Sequence, residues 1–126
     1  MVSSTESAIT SRLASEDSLT GLYNRHRFVA LTQAAIEARG PSNTPFAIYF
    51  VDLDRFKEIN DSFGHEAGDR LIVAVARRMQ ETLRATDTVA RFGGDEFAIL
   101  QPNVKSVHDS EQLARRLLSA LREPFD

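Results

Sequence analysis

Residues Arg91–Phe97 read RFGGDEF, and the rest of the chain is best understood from this stretch. β-Prone residues lie on both sides of its two glycines. Because glycine reaches the positive φ angles of tight turns without steric cost, the pattern predicts a β-hairpin over Asp87–Phe92 and Phe97–Leu100. Two carboxylates, Asp95 and Glu96, follow the glycines at once. Acids crowded in this way indicate either a bound cation or a solvated turn tip.

The composition limits the classes of protein that the chain can belong to. It has 126 residues, 42% of them hydrophobic, which is enough for one domain with one core. A net charge of -3 argues against a general nucleic-acid binder. The chain has no cysteine, which excludes disulfides and thiolate metal sites and suits a cytoplasmic protein. No apolar run approaches the ~20 residues of a membrane span.

The first third of the chain predicts a connector, a helix and a strand. Residues 1–16 are rich in Ser and Thr, and we interpret them as a connector or disordered tail. Asn24 is placed to cap a helix that ends at Gly40-Pro41. Residues Phe46–Val51 are nearly all apolar and β-prone. They predict a central strand that is buried on both faces.

A second group of acids follows this strand. Asp52 closes the strand, where a carboxylate is costly unless it is paired or bound to a metal. Asp54 is interpreted as the N-cap of a helix over Arg55–Asn60. The first amides of that helix, those of Arg55 and Phe56, lack intrahelical partners and can bind an anion, and Lys57 adds a positive charge. This combination suits metal-bound phosphates.

Two further helices are predicted beyond a loop at Asn60–His65. The first, Glu66–Arg84, has apolar residues at intervals of three and four. Asp69 lies in its first turn, where the helix dipole favours an acid whether or not it binds a ligand. The second, Asp109–Arg122, is predicted to open with a capping box formed by Asp109 and Gln112. It is expected to bury four leucines, Leu113, Leu117, Leu118 and Leu121.

Strand, helices, hairpin and helix in this order predict an α+β fold with an antiparallel or mixed sheet. If the strand over Phe46–Val51 neighbours the hairpin, then Asp52, Asp95 and Glu96 converge at one end of the sheet. Carboxylate oxygens without His or Cys suit Mg²⁺, with Mn²⁺ as the alternative, and Mg²⁺ usually works on phosphates.

Five motifs together resemble the GGDEF domain of bacterial diguanylate cyclases, in order and at that family's spacing. They are Asp17–Arg25 (DSLTGLYNR), Asp52–Asp61 (DLDRFKEIND), Gly64-His65, Gly68-Asp69 and Arg91–Phe97. The resemblance implies a nucleotidyl-cyclase palm of the ferredoxin-like kind over residues 17–126. It also implies that the C-terminal strands and the basic segment of the family are absent from this chain.

The same resemblance implies the reaction and its residues. Two GTP-loaded domains would form a homodimer and condense two GTP into cyclic di-GMP and two pyrophosphates. The metal would be held by Asp52, the carbonyl of Leu53, Asp95 and Glu96, and the catalytic residues would be Asp95, Glu96 and Lys57. The substrate would be bound by Arg55, Phe56, Asn60, His65, Asp69 and Gly94.

Within that set, the resemblance implies that Asn60 and Asp69 read guanine. The N1–H and N2–H₂ edge of guanine suits a carboxylate, and its O6 suits an amide donor. Arg84 and Asp87 match the inhibitory site at which the family binds its product, cyclic di-GMP. On their own they are equally typical of an arginine at a helix end and an aspartate in a turn.

Two other functions are compatible with parts of the pattern. The first is a non-catalytic module that binds GTP or cyclic di-GMP and regulates a partner. The second is an aspartyl phosphatase, suggested by Asp52 and Asp54, but this leaves the Gly-Gly-Asp-Glu turn without a role. In each case we expect a cytoplasmic domain, as part of a larger signalling protein. We also expect the isolated chain to be marginal in stability, to self-associate and to be weak or inactive as a cyclase, because the two hairpin strands cannot cover both edges of Phe46–Val51.

Overall fold

The computed structural model describes residues 14–39 and 44–125, so the predictions for residues 1–13 and for the helix end at Gly40-Pro41 lie outside it. In chain order the elements are α1 (Arg25–Ala38), β1 (Ala47–Asp52), α2 (Phe56–Phe63), α3 (His65–Thr82), β2 (Thr88–Gly93), β3 (Glu96–Gln101) and α4 (Val107–Arg122). The helices in this part of the chain include none long and apolar enough to cross a membrane.

The strands form one antiparallel sheet in the order β1-β3-β2. The predicted hairpin is confirmed, with Gly93 at φ 138° and Gly94 at φ 49°. The register shifts between Arg91 and Gly93, so Phe92 is the extra residue of a β-bulge. Of the expected features, the α+β class and the antiparallel pairing are both present.

The prediction that Phe46–Val51 forms the central strand, buried on both faces, is wrong for the described part of the chain. β3 is central, and Phe97 to Leu100 are all buried. β1 alternates between half-buried and exposed residues, and Phe50 is 74% exposed. β1 pairs with β3 alone among the described residues, which leaves its second edge unpaired. On its outer face the Phe50 ring contacts the edge of Phe92, with the centroids 6.3 Å apart, and remains mostly exposed.

The core lies on both faces of the sheet. On one face α3 and α4 pack against Phe97 and Ile99, and on the other Phe28 of α1 packs against Ala98 and its neighbours. The residues that α3 and α4 bury on the first face are Ile72, Val75, Ala76, Met79, Leu113 and Leu117. The predicted burial of Leu118 is wrong, since it is 55% exposed, and Leu121 is partly buried against the core.

Two predictions about α2 are wrong. Its N-cap is Arg55, in the left-handed region at φ 63°, and no side chain caps it, so Asp54 is not the cap. The predicted loop at Asn60–His65 is helical up to Phe63, and α3 begins directly at His65. Gly64, at φ 90°, turns the chain between the two helices in a single residue, and a longer loop is not needed.

Of the predicted caps of α1 and α4, the first is confirmed and the second is wrong. Asn24 caps α1 as predicted, since its side chain accepts a hydrogen bond from the Arg27 amide at 3.0 Å. The cap of α4 is Ser106 rather than Asp109. The Asp109 carboxylate instead accepts from the Lys105 amide at 2.9 Å, because the helix starts two residues earlier than predicted.

Candidate functional site

Two of the three predicted acids face each other across the sheet. The register of β1 and β3 pairs Asp52 with Glu96, and both side chains are exposed. Directly opposed residues on antiparallel strands have Cβ atoms roughly 4.5–5.5 Å apart, on the same face. Asp95 stands in the turn just before this pair. No group of three His, Cys, Asp or Glu residues within the described ranges is arranged to hold a metal ion.

The start of α2 follows directly after this acid pair. Leu53 and Asp54 connect β1 to Arg55, whose left-handed backbone costs roughly 1–2 kcal/mol. The amides at this end of α2 have no acceptor within the helix, and they carry the positive end of its dipole. Lys57 is exposed in the first turn. This arrangement places positive charge and free N–H donors one short turn away from two carboxylates.

The Gly-Gly turn is fixed by an ion pair that the sequence reasoning did not identify. Arg91 donates from Nη1 to Asp17 Oδ1 at 2.9 Å, and these side chains are 13% and 15% exposed. The same guanidinium donates from Nε and Nη2 to the Gly94 carbonyl at 3.1 and 3.0 Å. Asp17 also accepts from the Thr20 amide and hydroxyl at 2.9 and 2.7 Å. We call this set of contacts the turn clamp. The feature of the sequence that could have suggested this ion pair is that Asp17 and Arg91 are each the first residue of a motif.

Asn60 and Asp69 lie on the two helices that meet at Gly64. Asn60 is half-buried, and its Oδ1 is buried without a hydrogen-bond partner among the described residues. Asp69 is exposed and lines a surface cavity of about 390 Å³ together with Leu19. His65 is exposed at the start of α3. The Asn60 side chain lies against Gly68, the neighbour of Asp69 in sequence.

Arg84 and Asp87 form a closed turn. The Asp87 carboxylate accepts from the Arg84 amide at 3.0 Å, and the Asp87 amide donates to the Arg84 carbonyl at 3.0 Å. Both residues line two cavities of about 500 Å³ each. Three basic residues that the sequence reasoning missed line the first cavity as well: Lys105, Arg115 and Arg116. The sequence feature that could have indicated this basic cavity is the pair of adjacent arginines on the polar face of α4.

Tyr49 of β1 lies beside this first cavity. Its hydroxyl donates to the Ser110 carbonyl at 3.0 Å and contacts Gln101 Oε1, and Gln101 lines the cavity. Burial raises the pKa of the Tyr49 hydroxyl above its ordinary value, and the charge of Asp87 adds to the rise. Tyr49 therefore stays neutral at physiological pH and holds the inner face of β1 to α4.

Known proteins resemble this chain along most of its length. The family model for the diguanylate cyclase GGDEF domain matches residues 14–126. The diguanylate cyclase TpbB of Pseudomonas aeruginosa is 40% identical over 120 residues, which cover 95% of this chain and 28% of TpbB. The cyclic di-GMP phosphodiesterase NbdA of the same species is 42% identical over 114 residues, which cover 90% of this chain and 14% of NbdA. The chain thus spans less than a third of either relative.

Solved structures of GGDEF domains also resemble this chain. The GGDEF domain of TpbB matches with a TM-score of 0.83 at 41% identity, over 87% of this chain and 64% of that chain. The coiled coil and GGDEF domain of DgcB from Caulobacter crescentus, solved in complex with c-di-GMP, matches with a TM-score of 0.81 at 27% identity, over 90% and 59% of the two chains. The resemblance seen in the motifs is confirmed, and the chain belongs to the GGDEF domain family.

Proposed function

We propose that this chain carries the GTP-binding and metal-binding half of a diguanylate cyclase, which condenses two GTP into cyclic di-GMP and two pyrophosphates. The observation that carries the proposal is the register pairing of Asp52 with Glu96, directly before the free amides of α2. The name of the relative TpbB, a diguanylate cyclase at 40% identity, supports it.

The donor set at the acid pair fits Mg²⁺. This ion prefers hard oxygen ligands and is usually held by one or two carboxylates plus substrate phosphates, so a third acidic ligand is not needed. Asp52 and Glu96 would be the carboxylates, and the carbonyl of Leu53, the next residue after β1, would add an oxygen. When bound, the ion supplies a Lewis acid that neutralises charge on the phosphates.

Each remaining site residue has a role in this proposal. Lys57 and the amides of Arg55 and Phe56 bind phosphate charge that grows during the reaction. Gly94 lets the turn approach the nucleotide without a side chain in the way. Asn60 and Asp69 would read the base, and His65, at the start of α3, would contribute to the same site.

The condensation requires two copies of the domain facing each other. Each GTP presents its 3′-hydroxyl oxygen to the α-phosphorus of the opposite GTP. A new phosphorus–oxygen bond forms there, the bond from that phosphorus to pyrophosphate breaks, and the hydroxyl proton leaves to a base. We assign Asp95, in the turn beside the acid pair, as the residue that assists this proton transfer.

The cavity beside Arg84 and Asp87 is proposed as the inhibitory site for cyclic di-GMP. Its arginine and lysine side chains provide donors for the two phosphates of the product. The complex of DgcB with c-di-GMP supports binding of this ligand within the family.

A second function is favoured by one observation. NbdA, at 42% identity, is named a phosphodiesterase, so a domain of this kind also occurs in proteins named for the opposite reaction. In such a setting the chain would bind GTP or cyclic di-GMP and regulate a partner without catalysing the condensation.

Pyrophosphate release separates the two functions. The full-length protein that contains this chain is incubated with GTP and Mg²⁺, because the chain is proposed to carry one half of the cyclase. Glu96→Gln is compared there with Glu111→Gln, a matched change of an exposed acid on α4. A cyclase releases pyrophosphate in the parent and in Glu111→Gln, and loses at least about a hundredfold in rate in Glu96→Gln. Binding of GTP without any pyrophosphate release in the parent would identify the regulatory module instead.

A further inference from the structure

Gly68 is a residue whose presence the fold alone does not explain. It is buried as the fourth residue of α3, which runs from His65 to Thr82. Glycine weakens a helix relative to alanine, because it loses more backbone freedom on folding. Unlike Gly64, it does not lie in the positive-φ region that would favour glycine. A glycine kept inside a helix usually has a packing or functional reason.

The space that a larger residue would need is taken by one side chain. A Cβ atom at Gly68 would lie 1.8 Å from Asn60 Oδ1 and 2.9 Å from Asn60 Cγ, and the Phe56 ring would be 3.4 Å away. The first two distances are far below van der Waals contact, whereas the third is an ordinary contact. Gly68 is therefore required by the position of the Asn60 amide and not by the approach of the two helices.

The position that Asn60 adopts is itself unfavourable in the absence of a ligand. Its Oδ1 is buried and has no hydrogen-bond partner among the described residues. An unpaired buried acceptor costs free energy, so another interaction must favour this orientation. With Oδ1 turned into the helix interface, the amide nitrogen Nδ2 is the group left to donate a hydrogen bond to a ligand.

We propose that Gly68 is a positioning residue for base recognition: it provides the space that holds the Asn60 amide with Nδ2 available to guanine O6. This rests on the proposed function, in which Asn60 reads the base. An amide donor facing O6 disfavours adenine, which presents an N6 amino group at the equivalent place. Gly68 therefore contributes to the preference for GTP over ATP without touching the nucleotide.

The test is a double-mutant cycle on nucleotide affinity. GTP and ATP binding are measured by calorimetry for the parent, Gly68→Ala, Asn60→Ala and the double variant. Gly68→Ala should weaken GTP by about fivefold to tenfold, the value of a lost hydrogen bond, and change ATP little. In the Asn60→Ala background the same change should have no further effect on GTP, because no amide remains to be displaced. Glu81→Ala, an exposed change on the same helix, is the control and should leave both affinities unchanged.

Thermal melting gives a readout that does not depend on the ligand. Gly68→Ala should raise the Tm by a few degrees in the Asn60→Ala background, where the better helix former fits, and by clearly less in the parent, where the methyl group must first displace Asn60. The proposal is overturned by unchanged GTP affinity in Gly68→Ala, by equal weakening of GTP and ATP, or by additive effects in the double variant. A parent that binds neither nucleotide refutes the proposed function, and the melting comparison still decides whether Gly68 holds Asn60 in place.

Discussion

The two edges of the sheet differ in whether another part of the chain covers them. The outer edge of β2 is covered, since Tyr23 bridges to Ala90 and the Arg91 amide donates to the Tyr23 carbonyl at 2.9 Å. The outer edge of β1 has no strand beside it among the described residues, and Ile48 and Phe50 are exposed on the face of this edge strand. An uncovered apolar edge offers unpaired backbone groups to any passing strand.

This difference matters because the candidate site draws on both edges. The covered edge supplies the turn clamp, which ties the Gly-Gly turn to the segment around Asp17. The open edge supplies Asp52, at the end of β1. Glu96 thus follows a turn that the turn clamp holds, whereas Asp52 belongs to a strand that is supported on one side only. The two halves should respond differently to substitution.

The largest effect is expected at the covered edge, from Arg91→Ala. This change leaves the Asp17 carboxylate partly buried without its cation, and it frees the Gly94 carbonyl. Breaking such a pair from one side costs about 3 kcal/mol, which we expect as the loss in the free energy of unfolding. Urea denaturation measures it, and the activity of the folded fraction should fall as well because the turn is released.

Arg91→Lys is the matched control for the turn clamp. It keeps the charge but lacks the planar fork that reaches Asp17 and Gly94 together, so it should recover less than half of the lost stability. If Arg91→Ala unfolds at the same urea concentration as the parent, the turn clamp is not what stabilises the covered edge.

An intermediate effect is expected at the open edge, from Phe50→Lys. The parent should self-associate at micromolar concentration, and a charge in the middle of the edge strand should weaken the association by tenfold or more. Sedimentation velocity measures this directly. The control is Leu118→Lys, which adds a charge to an exposed apolar residue of α4, on the other face of the sheet, and leaves the β1 edge as it is. A parent that sediments as a monomer and melts cooperatively would show that the open edge is harmless.

The sequence predicted the local features of this comparison better than its long-range ones. Two glycines before two acids predict the hairpin, because glycine and turn geometry are linked residue by residue. The unpaired edge of β1 could be predicted as well, because the sequence predicts only two other strands and these pair with each other. The pairing of Asp17 with Arg91 joins residues 74 positions apart, and neither residue carries a local pattern that indicates its partner. The left-handed Arg55 was missed for another reason: its conformation contradicts the ordinary preference of arginine, so no local pattern indicates it.

The smallest effect is expected from Tyr49→Phe, on the inner face of the open-edge strand. The hydroxyl contacts the Ser110 carbonyl and Gln101, so its removal should cost about 1 kcal/mol of unfolding free energy near pH 7. Tyr23→Phe is the control, since Tyr23 covers the opposite edge through its backbone and its side chain is 39% exposed. That change should cost far less, which would show that β1 depends on its inner contacts because it lacks outer ones.

The pH dependence of the difference in unfolding free energy between the parent and Tyr49→Phe also tests whether the Tyr49 hydroxyl holds β1 to α4. Burial and the charge of Asp87 raise the pKa of Tyr49 above the ordinary tyrosine value of about 10, so the unfolded state loses this proton at lower pH than the folded state does. The contribution of the hydroxyl is therefore fully present below about pH 10 and is lost as the pH rises through the folded pKa. Parent and Tyr49→Phe should differ by a constant amount from pH 6 to about pH 9 and converge above about pH 10. A difference that stays constant into that alkaline range would mean that the hydroxyl is not buried against α4, and that β1 is held by its pairing with β3 alone.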